Sequence, residues 1–338
     1  ITKFERNAFG LEREVTNPRG IKSINTHDRC GNLTLSIHDT DHKHATGLRV
    51  HVAQKYNGLG KVHTIKQGGY NHEGTFHAAS LVKKHEHDLL GRETARVTDP
   101  ENLNLRQEFE YDGVDQVLQS TNPNGEIELF YHNIQKRLRF EFNQLTENSG
   151  SLTEKQYTRS GKISFIRIHD APISLAEIKV NKDLQKVKEL SAQKISNDDL
   201  CTQFIYDEHD RERFIIKYVY DHKRKLMRGI ITEKVYDAAH REIAIIEYAD
   251  FIKVNNQSEI TAENVERQIK GFKQRAQDRL TQYRLDKLGQ KIVVAKDGLL
   301  TFNRFSKSGK LLEQTHYQAD ISLFKGSDLI DIAEFEKM

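Results

Sequence analysis

One short phrase recurs along this sequence and constrains the fold more than any other feature. It consists of an aromatic residue or histidine, then Asp or Asn, two further residues, and a glycine. Asp and Asn side chains accept hydrogen bonds from the backbone just beyond them, and glycine adopts the positive φ of a tight reversal. Each copy therefore predicts a turn. The clearest copies are His27-Asp28-Arg29-Cys30-Gly31, Tyr56-Asn57-Gly58-Leu59-Gly60, His87-Asp88-Leu89-Leu90-Gly91 and Tyr157-Thr158-Arg159-Ser160-Gly161.

Weaker copies extend the series along most of the chain. Some keep the Tyr-Asp pair without the glycine, namely Tyr111-Asp112, Tyr206-Asp207, Tyr220-Asp221 and Tyr236-Asp237. Others keep the glycine, namely Arg6-Asn7-Ala8-Phe9-Gly10, Leu285-Asp286-Lys287-Leu288-Gly289 and Phe305-Ser306-Lys307-Ser308-Gly309.

A second phrase holds three of the four prolines and follows the first at an offset of ten or eleven residues. Proline fixes φ at the second position of a β-turn, and Gly or Asn then accepts the left-handed one. A second series of turns is therefore predicted. Its copies are Thr16-Asn17-Pro18-Arg19-Gly20, Thr98-Asp99-Pro100-Glu101-Asn102 and Thr121-Asn122-Pro123-Asn124-Gly125.

The residues between the turns alternate between apolar and polar. After Gly31, for example, Leu33, Leu35 and Ile37 share one face of a strand. Short strands of period two between regular turns are typical of consecutive antiparallel β-hairpins with one wet face. The sequence therefore predicts a mainly β fold and a single β-repeat region over 1–338.

Two stretches have helical spacing instead and predict helical insertions at about 174–190 and 261–284. The second insertion has Thr261 as its predicted N-cap. The apolar positions of the first are Leu175, Ile178, Leu184, Val187 and Leu190, and those of the second are Val265, Ile269, Phe272, Ala276, Leu280 and Tyr283. The segment Ser191–Leu200 is predicted to be a loop.

Composition fits a one-layer sheet better than a compact globule. Only 36% of the residues are hydrophobic, as expected where a whole face of the sheet stays wet. The net charge of +3 gives no electrostatic case for nucleic acid, and a mean hydropathy of −0.71 argues against a membrane span. Two cysteines, Cys30 and Cys201, make neither a disulfide framework nor a zinc knuckle. The first residues show no signal peptide.

The linked phrases resemble the Rhs (rearrangement hotspot) or YD-repeat family, most strongly over residues 4–165 and more weakly over 200–320. The resemblance implies a curved sheet or part of a hollow shell, of the kind that encloses a toxin fragment in interbacterial Rhs effectors and in the C component of insecticidal toxin complexes. No Asp-Pro pair follows Pro100, so the resemblance assigns no self-cleavage residues and no following toxin domain.

Histidines are the strongest candidates for chemistry. Ten of the sixteen lie in the first 87 residues, with a cluster at His38-Asp39-Thr40-Asp41-His42-Lys43-His44. Metal sites use His and Asp at short spacing, but this segment is predicted to be a turn in which Asp is an ordinary residue. His27, His87 and His132 occupy the position that tyrosine holds in other copies. We therefore expect scaffold roles and no metal.

The remaining candidates also have structural interpretations. Cys30 lies inside a repeat phrase near His27, and Cys201 lies beside a predicted strand at Thr202–Tyr206. The acidic pairs Asp198-Asp199 and Asp328/Asp331 make no recognisable catalytic constellation. The repeat tyrosines form either a glycan-binding surface or cross-strand packing pairs. The predicted second helix carries a basic face of Lys270, Lys273, Arg275 and Arg279, which either touches an acidic partner or faces solvent.

The sequence therefore predicts a non-enzymatic structural segment of an Rhs-type toxin shell, with no catalytic, metal or cofactor residues. Its expected partners are a toxin polypeptide or other shell chains, with no nucleic acid and no membrane span. We expect it to be made in the cytoplasm and then secreted or delivered as an effector. The alternative is an extracellular module that binds glycans or a receptor.

Overall fold

A computed structural model describes residues 2–18, 20–39, 49–70, 76–180, 183–223, 225–254, 260–272, 277–296 and 299–318. These residues form 23 β-strands and three short α-helices, which confirms the mainly β prediction. The chain divides into two compact units. Unit 1 comprises Ile1–His132 and Asn143–Glu147, and unit 2 comprises Asn133–Phe142 and Asn148–Met338.

Unit 1 is built from antiparallel strands that pair in chain order, each with the next, from β1 to β11. These are the consecutive hairpins predicted from the alternating pattern. The strands are β1 (Lys3–Arg6), β2 (Glu12–Thr16), β3 (Lys22–His27), β4 (Leu33–Asp39), β5 (Arg49–Tyr56), β6 (Val62–Tyr70), β7 (Phe76–His87), β8 (Glu93–Thr98), β9 (Leu105–Tyr111), β10 (Val117–Thr121) and β11 (Ile127–His132).

Unit 2 continues the antiparallel pattern with longer strands. β13 pairs with β14 and with the short β15, β14 pairs with β16, and each strand from β16 to β23 pairs with the next. The strands are β12 (Leu138–Gln144, which contributes residues to both units), β13 (Ser149–Tyr157), β14 (Ile163–Ile168), β15 (Ile173–Ser174), β16 (Leu200–Tyr206), β17 (Glu212–Asp221), β18 (Leu226–Tyr236), β19 (Glu242–Val254), β20 (Arg279–Leu285), β21 (Lys291–Lys296), β22 (Leu299–Phe305) and β23 (Leu311–Gln318).

The two units bury very different amounts of apolar surface. Among the described residues of unit 1, four hydrophobic side chains are buried: Ala95, Val97, Leu129 and Tyr131. Unit 2 has a cluster of fifteen, among them Phe214, Ile216 and Ile252 from the sheet and Val265 and Ile269 from a helix. The low hydrophobic fraction is therefore explained by a thin unit 1, whereas unit 2 has a helix-covered core.

The helical insertions differ from their prediction. Residues 174–190 hold two helices, α1 (Leu175–Val180) and α2 (Leu184–Gln193), and Asp183 caps the second by accepting the N–H of Gln185. The predicted loop Ser191–Leu200 accordingly begins as helix. A helix from 261 to 284 was wrong in its second half. α3 (Ala262–Ile269) begins at the predicted N-cap Thr261, but residues 279–285 form β20, which pairs with β19.

The reason for the short α3 is local. The N–H of Gly271 bonds back to Gln268, which closes the helix with a tight turn. Beyond it, Thr281 and Tyr283 favour a strand, and pairing with β19 and β21 gives their backbone groups partners that an isolated helix end lacks. The structure describes no helix long and apolar enough to cross a membrane.

Candidate functional site: an edge of capped turns

Thirteen turns of the described residues share one set of hydrogen bonds, and we call them capped turns. In each, the N–H of the first residue, the cap, donates to the carbonyl four residues on, at 2.8–3.0 Å. The third residue after the cap has φ between 60° and 98°. The caps are Asn7, Asn17, Asp28, Asn57, Asp88, Asp112, Asn122, Asn133, Thr158, Asp207, Asp237, Asp286 and Ser306.

The cap side chain holds the turn closed, as Asp207 shows. Its Oδ1 accepts the N–H groups of His209 at 3.0 Å and Arg211 at 2.9 Å. Although burial opposes the effect, hydrogen bonds from Arg211 and His209 hold the pKa of this carboxyl below its ordinary value. Thr158 replaces the carboxylate with a hydroxyl, which accepts the N–H of Lys162 at 3.1 Å. The geometry therefore explains why Asp, Asn, Thr and Ser all serve as caps.

The structure changes the prediction for the turns that lack glycine. Their left-handed position is filled by Asp115, Lys136, Asp210 and His240, so the turn survives without glycine. Asn133 is the cap that follows His132, the histidine placed at the tyrosine position from the sequence, and Lys136 stands where other copies have glycine. Tyr220-Asp221 leads into a turn of another kind, in which Asp221 pairs with Leu226, its Oδ1 accepts the N–H of Lys223 at 3.0 Å, and Lys225 has φ of 51°.

The first phrase and the second, proline-containing phrase form the same kind of capped turn. Asn17 and Asn122 make the same backbone bonds as the Asp caps, and Gly20 and Gly125 have φ of 83° and 84°. Thr98-Asp99-Pro100 is the exception. Asp99 is itself left-handed, with φ of 51°, and its carbonyl accepts the N–H of Asn104.

Tyrosines link consecutive capped turns, and we call each link a tyrosine rung. The tyrosine directly before a cap donates its hydroxyl to the carbonyl of the fifth residue after the preceding cap, at 2.7–2.9 Å. All five tyrosines are half-buried, and burial raises the pKa of Tyr111, Tyr206 and Tyr236. The rungs are Tyr56–Leu33, Tyr111–Glu93, Tyr157–Leu138, Tyr206–Ile163 and Tyr236–Glu212.

A β-bulge places the tyrosine for this contact. In nine hairpins the strand register shifts at the residue directly before the cap, for example between Ile205 and Tyr206. A turn followed by a left-handed residue produces such a bulge and turns the strand more strongly. The local turn chemistry thus aims the tyrosine at the neighbouring repeat.

Arginines at the fourth residue after a cap make a second link. Arg92 donates from Nε to its own cap Asp88 at 2.7 Å and from Nη1 to the carbonyl of the next cap, Asp112, at 3.0 Å. Its guanidinium also lies 4.9 Å from the ring centre of Tyr111. Arg241 repeats the two hydrogen bonds with Asp237 and Asp286. An arginine directly after the left-handed residue, as Arg92 and Arg241 are, therefore links one repeat to the next.

Three histidines occupy the tyrosine position and interrupt the rungs. His27, His87 and His132 each precede a cap, as predicted, but their rings are shorter than a phenol. The Nδ1 atoms of His87 and His132 are buried without a hydrogen-bond partner among the described atoms. Burial lowers the pKa of His132, and the charge of Asp112 opposes this.

The other histidine and cysteine candidates are not brought together. His38 lies in β4, where its ring nitrogens bond the hydroxyls of Ser23 and Ser36, and 40–48 lie outside the described residues. In the part of the chain that is described, no group of three His, Cys, Asp or Glu residues is arranged to hold a metal. Cys30 is exposed on the turn capped by Asp28, and Cys201 is buried in β16 as predicted.

The acidic pairs and the basic helix face end differently. Asp198 is exposed and lies 2.7 Å from His222, whereas Asp199 is buried. Asp328 and Asp331 lie outside the described residues. The continuous basic face does not form, because Lys270 ends α3 and Arg279 belongs to β20. Lys273 and Arg275 lie outside the described residues.

Comparison with known proteins gives matches in structure only. No family model matches the sequence, and no curated protein matches it. The chain is similar to the crystal structure of TcdB2-TccC3-TEV, with a TM-score of 0.33 and 10% identity over 93% of this chain and 19% of that chain. It is also similar to TcdB2-TccC3 without its hypervariable C-terminal region, with a TM-score of 0.31 and 11% identity over 93% and 19%.

A third match is a porin-like protein from Bacteroides uniformis ATCC 8492, with a TM-score of 0.21 and 7% identity over 84% of this chain and 93% of that chain. The first two matches are chains of a toxin complex. This chain spans about a fifth of their length, 19%.

Proposed function

We propose that this chain is a non-enzymatic scaffold, a shell segment of an Rhs-type toxin that encloses or presents a toxin polypeptide. The tyrosine rungs carry the proposal. Hydroxyls that would serve a glycan-binding surface instead join one repeat to the next, as Tyr111 does with Glu93. The repeated phrase therefore serves to join neighbouring repeats of the sheet.

The thin unit 1 agrees with this role. In β3 exposed and half-buried side chains alternate, and both faces of this strand carry polar groups that tolerate water or a polar chain. Because few apolar side chains of unit 1 are buried, a poorly folded polypeptide beside the sheet would not disrupt a core on which the sheet depends. We assign the scaffold to a protein made in the cytoplasm and then secreted or delivered.

One observation favours a second candidate, a module that binds a protein receptor. The second residue after the cap is apolar in several turns of unit 1, and Phe9, Leu59, Leu90 and Val114 are 85%, 55%, 74% and 52% exposed. Exposed apolar residues that recur at one position mark interaction surfaces more often than scattered ones do. A receptor that binds these exposed residues at the tips of the turns would bind the Leu90→Ser variant more weakly than the unaltered protein.

The containment proposal is tested by protease protection. An unfolded reporter polypeptide is joined after Met338, and its rate of cleavage is compared with that of the same reporter added as a separate chain. We expect slower cleavage of the joined reporter, and a return to the free rate when Tyr111, Tyr157 and Tyr206 are all changed to Phe. Equal rates in the unaltered protein would contradict containment. Unchanged protection in the Leu90→Ser variant separates containment from binding at the tips.

A further inference from the structure

Four polar side chains from separate elements meet in a buried cluster where the helical insertion joins the sheet of unit 2. Glu154 lies on β13, His169 follows β14, Ser191 lies on α2, and Asp199 precedes β16. They are 7%, 3%, 2% and 4% exposed, respectively. Buried polar groups need partners, so the way these four satisfy one another controls how the insertion docks. We call them the histidine cluster.

The hydrogen bonds of the cluster run from the imidazole to a carboxylate. Ser191 Oγ donates to Glu154 Oε2 at 3.2 Å, and His169 Nε2 lies 2.9 Å from the same Oγ. Because the single hydroxyl proton goes to the carboxylate, Nε2 must carry a proton that it donates to Ser191. Asp199 lies on the other side of the ring, with Oδ2 at 3.6 Å from Nδ1.

Backbone contacts make the cluster the anchor of the insertion. Asp199 accepts the N–H of Asp170 with Oδ1 and that of Ser196 with Oδ2, both at 3.1 Å. These bonds join the end of β14 to the chain that leaves α2. Ser191 reaches Glu154 on β13 from within α2. Undocking the insertion would expose both connections.

The charges around His169 are already balanced. Arg139 Nη2 pairs with Glu154 at 2.9 Å, and Arg167 Nε lies 3.5 Å from Asp199 Oδ2. Two carboxylates thus face two guanidinium groups, and an imidazolium would add a buried charge without a counter-charge. Burial lowers the pKa of His169, and the charge of Arg167 adds to this; the charges of Asp199 and Glu154 and a hydrogen bond to the backbone of Lys194 oppose it, and the pKa lies below its ordinary value.

The arrangement has the order Ser–His–Asp of a hydrolase but not its access. Ser191 and His169 are both inside the protein, and the serine proton is given to Glu154 rather than to the imidazole. A substrate carbonyl has no path to Ser191 while the insertion is docked. The cluster is therefore an anchor rather than a nucleophile.

We propose that His169 makes the docking of the helical insertion (175–199) onto β13 and β14 dependent on pH, docked while the imidazole is neutral and released when it is protonated. The inference is independent of the proposed function. Its sign follows from linkage. The undocked histidine has its ordinary pKa of about 6.5, and the docked one lies lower. Docking is therefore fully favoured above that pH and weakens as the pH falls from it toward the lower value.

A second His–Asp pair at the same end of the insertion provides a matched control. His222 Nε2 lies 2.7 Å from Asp198 Oδ1, and both side chains are about half exposed or more, at 68% and 49%. Because this pair is exposed, solvent screens it and it should contribute little to docking. Replacing His222 should leave the acid weakening in place.

Hydrogen exchange of the amides of α2, corrected for the intrinsic effect of pH, tests the proposal between about pH 7.5 and about pH 5. We expect α2 to lose protection on acidification while α3 keeps it. His169→Gln, whose amide nitrogen can still donate to Ser191, should abolish the loss, and His222→Gln should not. An equal loss of protection in His169→Gln and in the unaltered protein would overturn the proposal.

An NMR titration of the histidine ring nitrogens in the unaltered protein gives a second readout if His169→Gln does not fold. We expect His169 to titrate below the ordinary value for histidine of about 6.5, together with the exchange change in α2. Titration of His169 at or above that value would overturn the proposal.

Discussion

The hydroxyl of Tyr111 donates to the carbonyl of Glu93 at 2.8 Å, although the two residues belong to different repeats. Their relationship recurs four more times with different partners. A repeat protein of this kind depends on terms between neighbours as well as within each repeat. Substitutions at the tyrosine rungs test the interactions between repeats, and substitutions in the capped turns test the interactions within a repeat.

Removing one rung should weaken the coupling without disturbing the turn. Tyr111→Phe leaves the ring beneath Arg92 and deletes only the hydroxyl, so we expect the free energy of unfolding to fall by about 1 kcal/mol. Tyr317→Phe is the matched control, because Tyr317 is 56% exposed on β23. Chemical denaturation measures both. An equal effect of the two variants would show that the hydroxyl of Tyr111 adds no coupling.

The cap should depend more on its acceptor oxygen than on its charge. Asp207→Ala removes the partner of two backbone N–H groups and should cost about 1–2 kcal/mol. Asp207→Asn keeps an acceptor, as Asn57 does in its own turn, and should cost less. If Asn proves as costly as Ala in denaturation, the carboxylate charge stabilises the turn instead.

The cap at Asp207 should also respond to acid. Hydrogen bonds hold its pKa below the ordinary value against the effect of burial. The charged carboxylate therefore stabilises the folded protein above the ordinary pKa of Asp, and this stabilisation is lost as the pH falls below that value toward the pKa in the folded protein. The stability difference between the unaltered protein and Asp207→Ala should shrink below about pH 4. A difference that stays constant down to about pH 2 would contradict this.

The left-handed position should be more stable with glycine than with any other residue. Lys136 has φ of 60°, and Lys136→Gly should raise stability by up to about 1 kcal/mol because the strain of a side chain there is relieved. Gly60→Ala should lower stability, since the φ of Gly60 is 71°. A Cβ there meets nothing within 4 Å, so the loss would come from the backbone conformation alone. Thermal unfolding compares the two. A loss of stability in Lys136→Gly would mean that its side-chain contacts outweigh the strain.

Gly229 should be required by packing in unit 2. A Cβ at this position would lie 2.7 Å from Ile252 Cγ1 and 2.8 Å from Ile216 Cγ2, and both isoleucines are fully buried. Gly229→Ala should therefore cost about 1–3 kcal/mol. Gly113→Ala is the control, because nothing lies within 4 Å of a Cβ there. Similar denaturation midpoints for the two variants would contradict the close packing.

The turns and most strands were predictable because their chemistry is local. An Asp or Asn cap and a left-handed residue act within five positions, and alternation gives the strands between them. The rungs were less accessible, since the acceptor carbonyl of Tyr206 belongs to Ile163, far away in sequence. Tyrosine at the position before the cap was the visible signal, but its partner depends on how hairpins stack.

The wrong predictions from the sequence likewise arise where contacts between residues far apart in the chain decide the structure. Leu280 and Tyr283 fit a helical spacing and a strand equally well, and the pairing of Leu280 with β19 and of Tyr283 with β21 decides for the strand. Gly271 was the local sign that the helix ends early. The histidine cluster combines Glu154 and Ser191 from distant elements, so no spacing in the sequence announces it.

Tyrosine rungs couple consecutive repeats, and this coupling should be visible in the hydrogen exchange of Tyr206→Phe. The hydroxyl of Tyr206 lies on β16 and its acceptor, Ile163, lies on β14. We predict that amides around Ile163 lose protection together with those around Tyr206, while those of the distant β21 and β22 do not. Loss of protection confined to β16, or none at all, would contradict the account.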